Sequence, residues 1–264
     1  MELFLLILSG GLVGFAIGLT GVGGGSLMTP ILLLFNYPVA IAIGTDLLYA
    51  AITKCSGMYF HHRHGHVQWK TMALLAAGSI PVSILINLFI IDEEMSQNPD
   101  FALFLSSFLG VMLILTALVM LFHRFIRRRQ NTDNPLSLRL LRPYRSALVL
   151  LLGIVLGICV TFSSVGAGAF GAAILFMLFP HQKTSHIVGT DIAHAVPLTA
   201  VAGMGYLFNG LVGYQLLLAL ILGSLPGIYL GTRLSSHLPE KFLRTVLIGV
   251  LLVLGLYFSF SPGH

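Results

Sequence analysis

The chain has 264 residues, of which 56% are hydrophobic and only 9% are charged, and its formal net charge is +5. Soluble domains carry charged residues at about a quarter of their positions, so this composition excludes an ordinary soluble protein. The mean hydropathy of +0.95 indicates a chain whose surface meets lipid. Because its apolar residues come in long runs, the sequence predicts an all-α membrane protein with the lipid bilayer as its surroundings.

Ten apolar segments follow one another along the chain, and most approach the roughly 20 residues that a membrane-spanning helix needs. The longer ones cover residues 3–20, 39–60, 69–91, 101–123, 146–162, 187–207, 214–231 and 242–260. The two shorter ones, residues 27–36 and 170–179, each follow a glycine-rich run. Helices of that length reach only about half of a hydrocarbon core of about 30 Å. We therefore expect residues 3–36 and 146–180 each to form a broken or re-entrant hairpin whose glycine loop lies at depth.

The sequence contains one unit twice. Gly44-Thr45-Asp46 recurs 145 residues later as Gly189-Thr190-Asp191, and Gly78-Ser79-Ile80-Pro81 recurs at that spacing as Gly223-Ser224-Leu225-Pro226. Two further pairs are Gly65–Trp69 with Gly210–Tyr214 at the same spacing, and Thr20–Gly25 with Ser163–Gly168 at a spacing of 143. Four matches in one order indicate an internal duplication, which is common among secondary transporters.

The basic residues predict how the two copies are oriented. Seven arginines lie between Arg124 and Arg145, and a basic loop beside membrane helices usually lies on the cytoplasmic side. With that stretch inside and five segments in each copy, every lysine and arginine except Lys54 falls on an inside loop. An odd number of segments inverts the second copy relative to the first. We therefore predict two inverted membrane repeats, residues 1–123 and 146–264, joined by a cytoplasmic basic linker at residues 124–145. Because topology accounts for the positive charge, we expect no nucleic acid as a partner.

The glycine-rich runs are the first candidate binding residues. The short helix after each run would begin near Ser26 or Ala169, and free N–H groups at a helix N-terminus favour anions. Together with nearby hydroxyls, two such ends predict a cradle for a small oxyanion. Close helix packing at the glycines is the alternative interpretation. The predicted substrate-binding residues are Thr20, Gly21, Gly23, Gly24, Gly25, Ser26, Ser163, Ser164, Gly166, Gly168 and Lys54.

Ionisable residues within apolar segments are the second group of candidates, because charge is costly there and usually functional. Asp46 and Asp191 occupy matching positions and are predicted to carry a proton or cation, or to pair with Lys54. The alternative is that each aspartate caps a helix that restarts after the preceding glycine. Lys54 could instead extend its ammonium to the inner face. His194, one turn after Asp191, is either a proton relay or a hydrogen-bonded structural histidine.

A dense histidine cluster raises the hypothesis of a metal-cation permease, because imidazole ligates metals readily. His61, His62, His64 and His66 form this cluster, which has no nearby carboxylate or thiol and no counterpart in the second copy. A solvated cytoplasmic loop is the simpler interpretation. We therefore predict no resident metal and no cofactor.

No enzyme motif stands out in the sequence, so we expect the protein not to be an enzyme. An intramembrane hydrolase that uses Ser163 or Ser164, or an assembly factor, remains the alternative outside transport. Cys55 and Cys159 both lie in apolar segments and are interpreted as packing residues.

The glycine motifs together resemble the sulfite exporter TauE/SafE family of membrane permeases. The resemblance rests on Gly14–Gly25 with Pro30 after it, on residues 44–46 and 78–81, and on their copies in the second half. It implies a multi-pass protein of the bacterial cytoplasmic membrane that moves sulfite, sulfonates or related organic anions. The second glycine run has Ser164 and Ala167 where glycines stand in the first, so the two copies need not contact substrate equally.

The expected function is therefore secondary transport of a small oxyanion, with protonation of Asp46 or Asp191 as a hypothesis for coupling. The partners predicted are a small anionic substrate and the bilayer, and a homo-oligomer is left open. A metal-cation permease that uses the aspartates and histidines is the alternative within transport.

Overall fold

The computed structural model describes residues 2–20, 27–129, 143–166, 168–179, 181–234 and 240–260. Within these ranges the chain forms eleven α-helices and no strand. The helices are α1 (Glu2–Thr20), α2 (Met28–Leu34), α3 (Val39–Arg63), α4 (Trp69–Phe89), α5 (Glu93–Gln97), α6 (Pro99–Arg129), α7 (Arg145–Ser163), α8 (Ala169–Leu178), α9 (Thr184–Phe208), α10 (Tyr214–Leu234) and α11 (Glu240–Phe260). We call α1–α6 the first half and α7–α11 the second half.

The all-helical membrane fold expected from hydropathy is confirmed. Six of the described helices, α3, α4, α6, α7, α9 and α10, are long and apolar enough to cross a bilayer. Shorter apolar stretches lie in α1 and α11, at Phe4–Leu19 and Thr245–Phe260. The chain is thus an integral multi-pass membrane protein.

Two short helices differ from the rest. Helix α2 has 7 residues and α8 has 10, and neither is long enough to cross a bilayer at 1.5 Å per residue. Helix α8 begins at Ala169, where the sequence predicted a helix start. Helix α5, which hydropathy did not predict, is capped by Asp92, whose carboxylate accepts a hydrogen bond from the Met95 N–H at 2.5 Å.

Small residues bring the two halves into close contact along α1 and α7. A Cβ added at Gly10 of α1 would lie 2.6 Å from the Leu220 carbonyl oxygen of α10. A Cβ added at Gly157 of α7 would lie equally close to the Ser79 carbonyl oxygen of α4. Side chains larger than hydrogen would force these helices apart, as at other small-residue interfaces in membranes. Helix α1 of the first half thus pairs with α10 of the second half, and α7 of the second half pairs in the same way with α4 of the first half. The helices of each pair run parallel.

The central pair, α3 and α9, runs antiparallel. Near one end Gly44 packs against Tyr206, further along Gly203 packs against Leu48, and Gly57 lies beside Ile192. Residue numbers rise on one helix as they fall on the other. Both helices continue without a break through the Gly-Thr-Asp motifs. The interpretation of Asp46 and Asp191 as caps of restarted helices is therefore wrong.

Candidate functional site: a buried polar network between the halves

The two glycine-rich runs differ in how much of them the structure describes. Thr20 is the last residue of α1. Gly21, Gly23, Gly24, Gly25 and Ser26 lie outside the described residues. The expected oxyanion cradle in the first half is therefore a prediction that stays open.

In the second half the backbone turns sharply between α7 and α8. Ser164 has φ 56°, and Gly166 and Gly168 have φ 118° and 132°. Such values strain residues with a Cβ, which explains the two glycines. The Ser163 hydroxyl donates to the Cys159 carbonyl at 2.6 Å and accepts from the Val165 N–H at 3.2 Å. Because backbone groups engage this hydroxyl, Ser163 is held as part of the turn.

Asp46 on α3 is fully buried and lies against the start of α2. Its Oδ2 atom accepts hydrogen bonds from the Thr29 hydroxyl at 2.5 Å and from the Thr29 N–H at 3.2 Å. The Ser164 hydroxyl of the second half, which is also buried, lies close to Asp46 but forms no hydrogen bond with it. The Asp46 carboxylate thus occupies the start of the short helix α2, where the sequence predicted an anionic ligand.

Asp191 on α9 repeats this arrangement in the second half. Its side chain is 2% exposed. A Cβ added at Gly171, the third residue of α8, would collide with its Oδ1 atom. Gly171 therefore leaves room for the carboxylate at the first turn of α8. Each acid lies against the short helix of its own half.

Lys54 connects the two acids. Its side chain on α3 is only 7% exposed, and its ammonium interacts electrostatically with both Asp46 and Asp191. The interpretation that Lys54 extends to the inner face does not fit this burial. Among the aspartates, glutamates, lysines and arginines that the structure describes, the buried side chains are Asp46, Asp191 and Lys54.

His194 is held by a hydrogen bond from the other half. Its Nε2 atom lies 2.8 Å from the Ser79 hydroxyl of α4, and its ring is completely buried. Tyr49 occupies the matching position of the first half, three residues after Asp46, and lies near Ser224 of α10, although its hydroxyl makes no hydrogen bond among the described residues. Ser79 and Ser224 are equivalent residues of the Gly-Ser-x-Pro motifs. The same two positions therefore lie near each other twice with the halves exchanged, and the pair formed by His194 and Ser79 is hydrogen-bonded.

A second reciprocal contact involves the threonines of the Gly-Thr-Asp motifs. The Gly213 N–H donates to the Thr45 hydroxyl at 3.1 Å, and the Gln68 N–H donates to the Thr190 hydroxyl at 3.0 Å. Gln68 and Gly213 are 145 residues apart, as are Thr45 and Thr190. Sequence reasoning missed Ser79, Ser224, Thr45 and Thr190 as members of the network, although the repeat spacing marked all four.

Several buried polar atoms of the network have no hydrogen-bond partner among the described residues. They are Asp46 Oδ1, Asp191 Oδ1, His194 Nδ1 and the hydroxyls of Tyr49 and Ser164. Buried polar groups are almost always paired, so such atoms need an explanation. Carboxylate oxygens can accept a proton, and an N–H or O–H can donate to an oxyanion. The network can thus both take up a proton and donate hydrogen bonds to an oxyanion.

The histidine cluster lies where α3 ends and α9 begins. Ring centroids of His61 and His66 are 5.5 Å apart, and those of His66 and His186 are 5.6 Å apart. Across the described ranges, no group of three or more His, Cys, Asp or Glu residues is arranged to hold a metal ion. The structure therefore adds no support to the metal-permease alternative.

Buried charge shared by two halves of a multi-pass helical protein is typical of membrane transporters. The chain belongs to the sulfite exporter TauE/SafE family, whose model matches residues 6–258. This bears out the resemblance seen in the glycine motifs, and the protein is a membrane transporter of that family.

Curated relatives agree with this assignment. The chain is 38% identical over 252 residues to "Probable membrane transporter protein YjnA" of Bacillus subtilis, covering 95% of this chain and 97% of the relative. It is 30% identical to YdhB of the same organism over 97% of this chain and the whole relative. A third relative, MJ0441 of Methanocaldococcus jannaschii, is 26% identical over 96% of this chain and 94% of its own length. These names indicate a transporter rather than an enzyme. No solved structure matches the chain.

Proposed function

We propose that the protein is a secondary transporter that moves a small oxyanion (sulfite, a sulfonate or a related organosulfur anion) across the bacterial cytoplasmic membrane. Asp46 and Asp191 couple this movement to protons. The observation that carries the proposal is the pair of buried acids at matching positions, each against the short helix of its own half. Ionisable groups at such depth are costly and mark ion or substrate pathways.

The same proposal includes two inverted halves, residues 1–123 and 146–264, joined by a cytoplasmic linker at residues 124–145. Equivalent helices α3 and α9 run antiparallel, which is what inversion requires. The equivalent helices α6 and α11 also run antiparallel, because Gly110 packs against Ser259 while Gly255 packs against Ile114. Reciprocal contacts between the halves support a two-fold relation. In transporters with this architecture, the substrate site lies near the midplane between the repeats.

Three features favour an anion as the cargo. Lys54 supplies positive charge in the membrane interior. Asp191 lies against Gly171 in the first turn of the ten-residue helix α8, and the N-terminal end of a helix favours negative charge. The family to which the chain belongs is described as a sulfite exporter. Sulfite and sulfonates share a compact, oxygen-rich anionic group that suits such donors.

Transport by purified protein in proteoliposomes tests the proposal. We expect saturable uptake of radiolabelled sulfite that rises with an imposed proton gradient and is inhibited by methanesulfonate. The double variant Asp46→Asn/Asp191→Asn should abolish the effect of the gradient, because neither amide can take up a proton. Asp100→Asn, at an exposed acid, is the matched control and should keep it.

Two results would contradict the proposal. Full sulfite uptake with unchanged pH dependence in the double Asn variant would rule out coupling through these acids. Uptake of a divalent metal ion, with loss of that uptake when His61, His62, His64 and His66 are replaced together, would favour the metal-permease alternative instead.

A further inference from the structure

The buried charges of the described residues do not balance. Two carboxylates, Asp46 and Asp191, face one ammonium, Lys54. If all three were ionised, the interior would hold one surplus negative charge, and an uncompensated buried charge is strongly unfavourable. One further positive charge is therefore needed. A proton on one carboxylate supplies it without placing a second cation near Lys54, as a proton on His194 would.

Lys54 lies between the two acids along α3. It follows Asp46 by eight residues, or about 12 Å along the helix axis. Asp191 precedes Ile192, which packs beside Gly57, where an added Cβ would lie 3.6 Å from Cγ2 of Ile192. Gly57 follows Lys54 by three residues, or about 5 Å along the axis. The ammonium thus lies along α3 between the two carboxylates, where it can pair with either of them.

Lys54 also breaks the similarity of the two halves. Its equivalent 145 residues later is Thr199, a fully buried residue whose hydroxyl donates to the Ala195 carbonyl at 2.8 Å. The acids Asp46 and Asp191, the threonines Thr45 and Thr190, and the serines Ser79 and Ser224 are pairs of the same residue type. The lysine has none, so one cation serves two equivalent acids.

We propose that Lys54 is a shared counter-ion for which the substrate oxyanion competes with the carboxylates of Asp46 and Asp191. When a monovalent oxyanion binds to Lys54, the carboxylate that it displaces takes up one proton from the side to which the site is open. This inference rests on the proposed function and adds to it the order of events and a ratio of one proton per anion.

The charges balance at each stage. Before binding, Lys54 carries one positive charge, one acid carries one negative charge and the other acid is protonated. After binding, Lys54 and the oxyanion neutralise each other, and both acids are protonated. The carrier thus stays neutral in the membrane only when proton and anion move together, which is what coupling requires.

Moving the lysine to the other half provides the test. If the halves are inverted copies, a lysine at position 199 would have the same position relative to Asp191 that Lys54 has relative to Asp46. We expect Lys54→Thr to lower uptake of radiolabelled sulfite at least about tenfold, because it removes the partner of a buried charge. Thr199→Lys alone should also lower it, since it adds a second buried cation. The double variant Lys54→Thr/Thr199→Lys should recover much of the wild-type rate.

The outcomes separate this inference from the proposed function. Sulfite uptake by the wild-type protein tests the function by itself. If the wild type transports sulfite but the double variant, eluting as a folded protein, is no better than Lys54→Thr, the shared counter-ion is wrong. A measured ratio of no protons per sulfite in the wild type would overturn it equally.

If the double variant does not fold, the unfolding temperatures of two other variants test whether Lys54 neutralises the acids. Lys54→Met leaves two unbalanced acids, whereas Lys54→Met/Asp191→Asn restores the wild-type surplus of one negative charge. We expect the second variant to unfold at a higher temperature than the first in detergent. An equal or lower unfolding temperature would show that Lys54 does not neutralise Asp191.

Discussion

Asp46 on α3 holds the second residue of α2, Thr29, by two hydrogen bonds to a single carboxylate oxygen. The bonds come from the side-chain hydroxyl and the backbone N–H of the same residue. They tie the short helix of the first half to the helix that carries the shared lysine. Protonation of Asp46 or its separation from Lys54 would therefore change how α2 is held, which links charge to the position of the helix that follows the glycine run.

The first prediction concerns this link. Thr29→Val keeps the shape of the side chain but removes the hydroxyl that donates to Asp46, and losing a donor to a buried charged group costs about 1–3 kcal/mol. We expect a lower unfolding temperature and slower sulfite uptake. Thr116→Val is the matched control, because Thr116 is also buried but bonds to the Met112 carbonyl of its own helix. Equal effects of the two substitutions would argue against a special role for Thr29.

The second prediction concerns the close contact of α7 with α4. Gly157→Ala places a Cβ 2.6 Å from the Ser79 carbonyl oxygen, so the helices must separate. Overpacking of this kind costs about 1–3 kcal/mol, and the unfolding temperature should fall. Gly249→Ala on α11 is the control, since nothing lies within 4 Å of its added Cβ. Alanine favours a helix over glycine, so Gly249→Ala should unfold at the same or a higher temperature.

Hydropathy was enough to predict most of the membrane helices. The segments expected at residues 69–91 and 214–231 correspond to α4 (Trp69–Phe89) and α10 (Tyr214–Leu234). Apolar runs correspond to helices here because a segment that crosses lipid must be mostly apolar and must form its own backbone hydrogen bonds. Helix α5 was missed, since a five-residue helix capped by Asp92 leaves no hydropathy signal.

The candidate site was predicted less completely. Asp46, Asp191, Lys54 and His194 could be identified because ionisable residues are rare in apolar segments. Their partners could not, because spacing relates Thr45 to Thr190 but does not reveal that Thr45 bonds to Gly213. Contacts between halves depend on how the helices pack, and this packing is set by glycines far along the chain. The prediction that Ser163 offers a hydroxyl to substrate also overlooked the local turn that engages it.

The third prediction concerns His194. Ser79→Ala removes the hydroxyl that lies 2.8 Å from Nε2, leaving a fully buried ring whose Nδ1 already has no partner among the described residues. We expect slower sulfite uptake and a lower unfolding temperature. Ser9→Ala is the control, because Ser9 is a buried serine that bonds to the Leu6 carbonyl of its own helix. If Ser79→Ala transports like Ser9→Ala, the contact with His194 has no role in transport.

The last prediction concerns the inversion of the halves. Arg63 and Phe208 occupy equivalent positions at the ends of α3 and α9, 145 residues apart, and both side chains are exposed. In inverted halves these two ends lie on opposite sides of the membrane, whereas in parallel halves they would lie on the same side. In a background with Cys55→Ala and Cys159→Ala, we expect a membrane-impermeant thiol reagent added outside intact cells to label Phe208→Cys but not Arg63→Cys. Arg63→Cys should react only after the membrane is opened, which also shows that its thiol is accessible. Labelling of both positions from one side would contradict the inversion, and with it the expectation that lysine at position 199 can replace lysine at position 54.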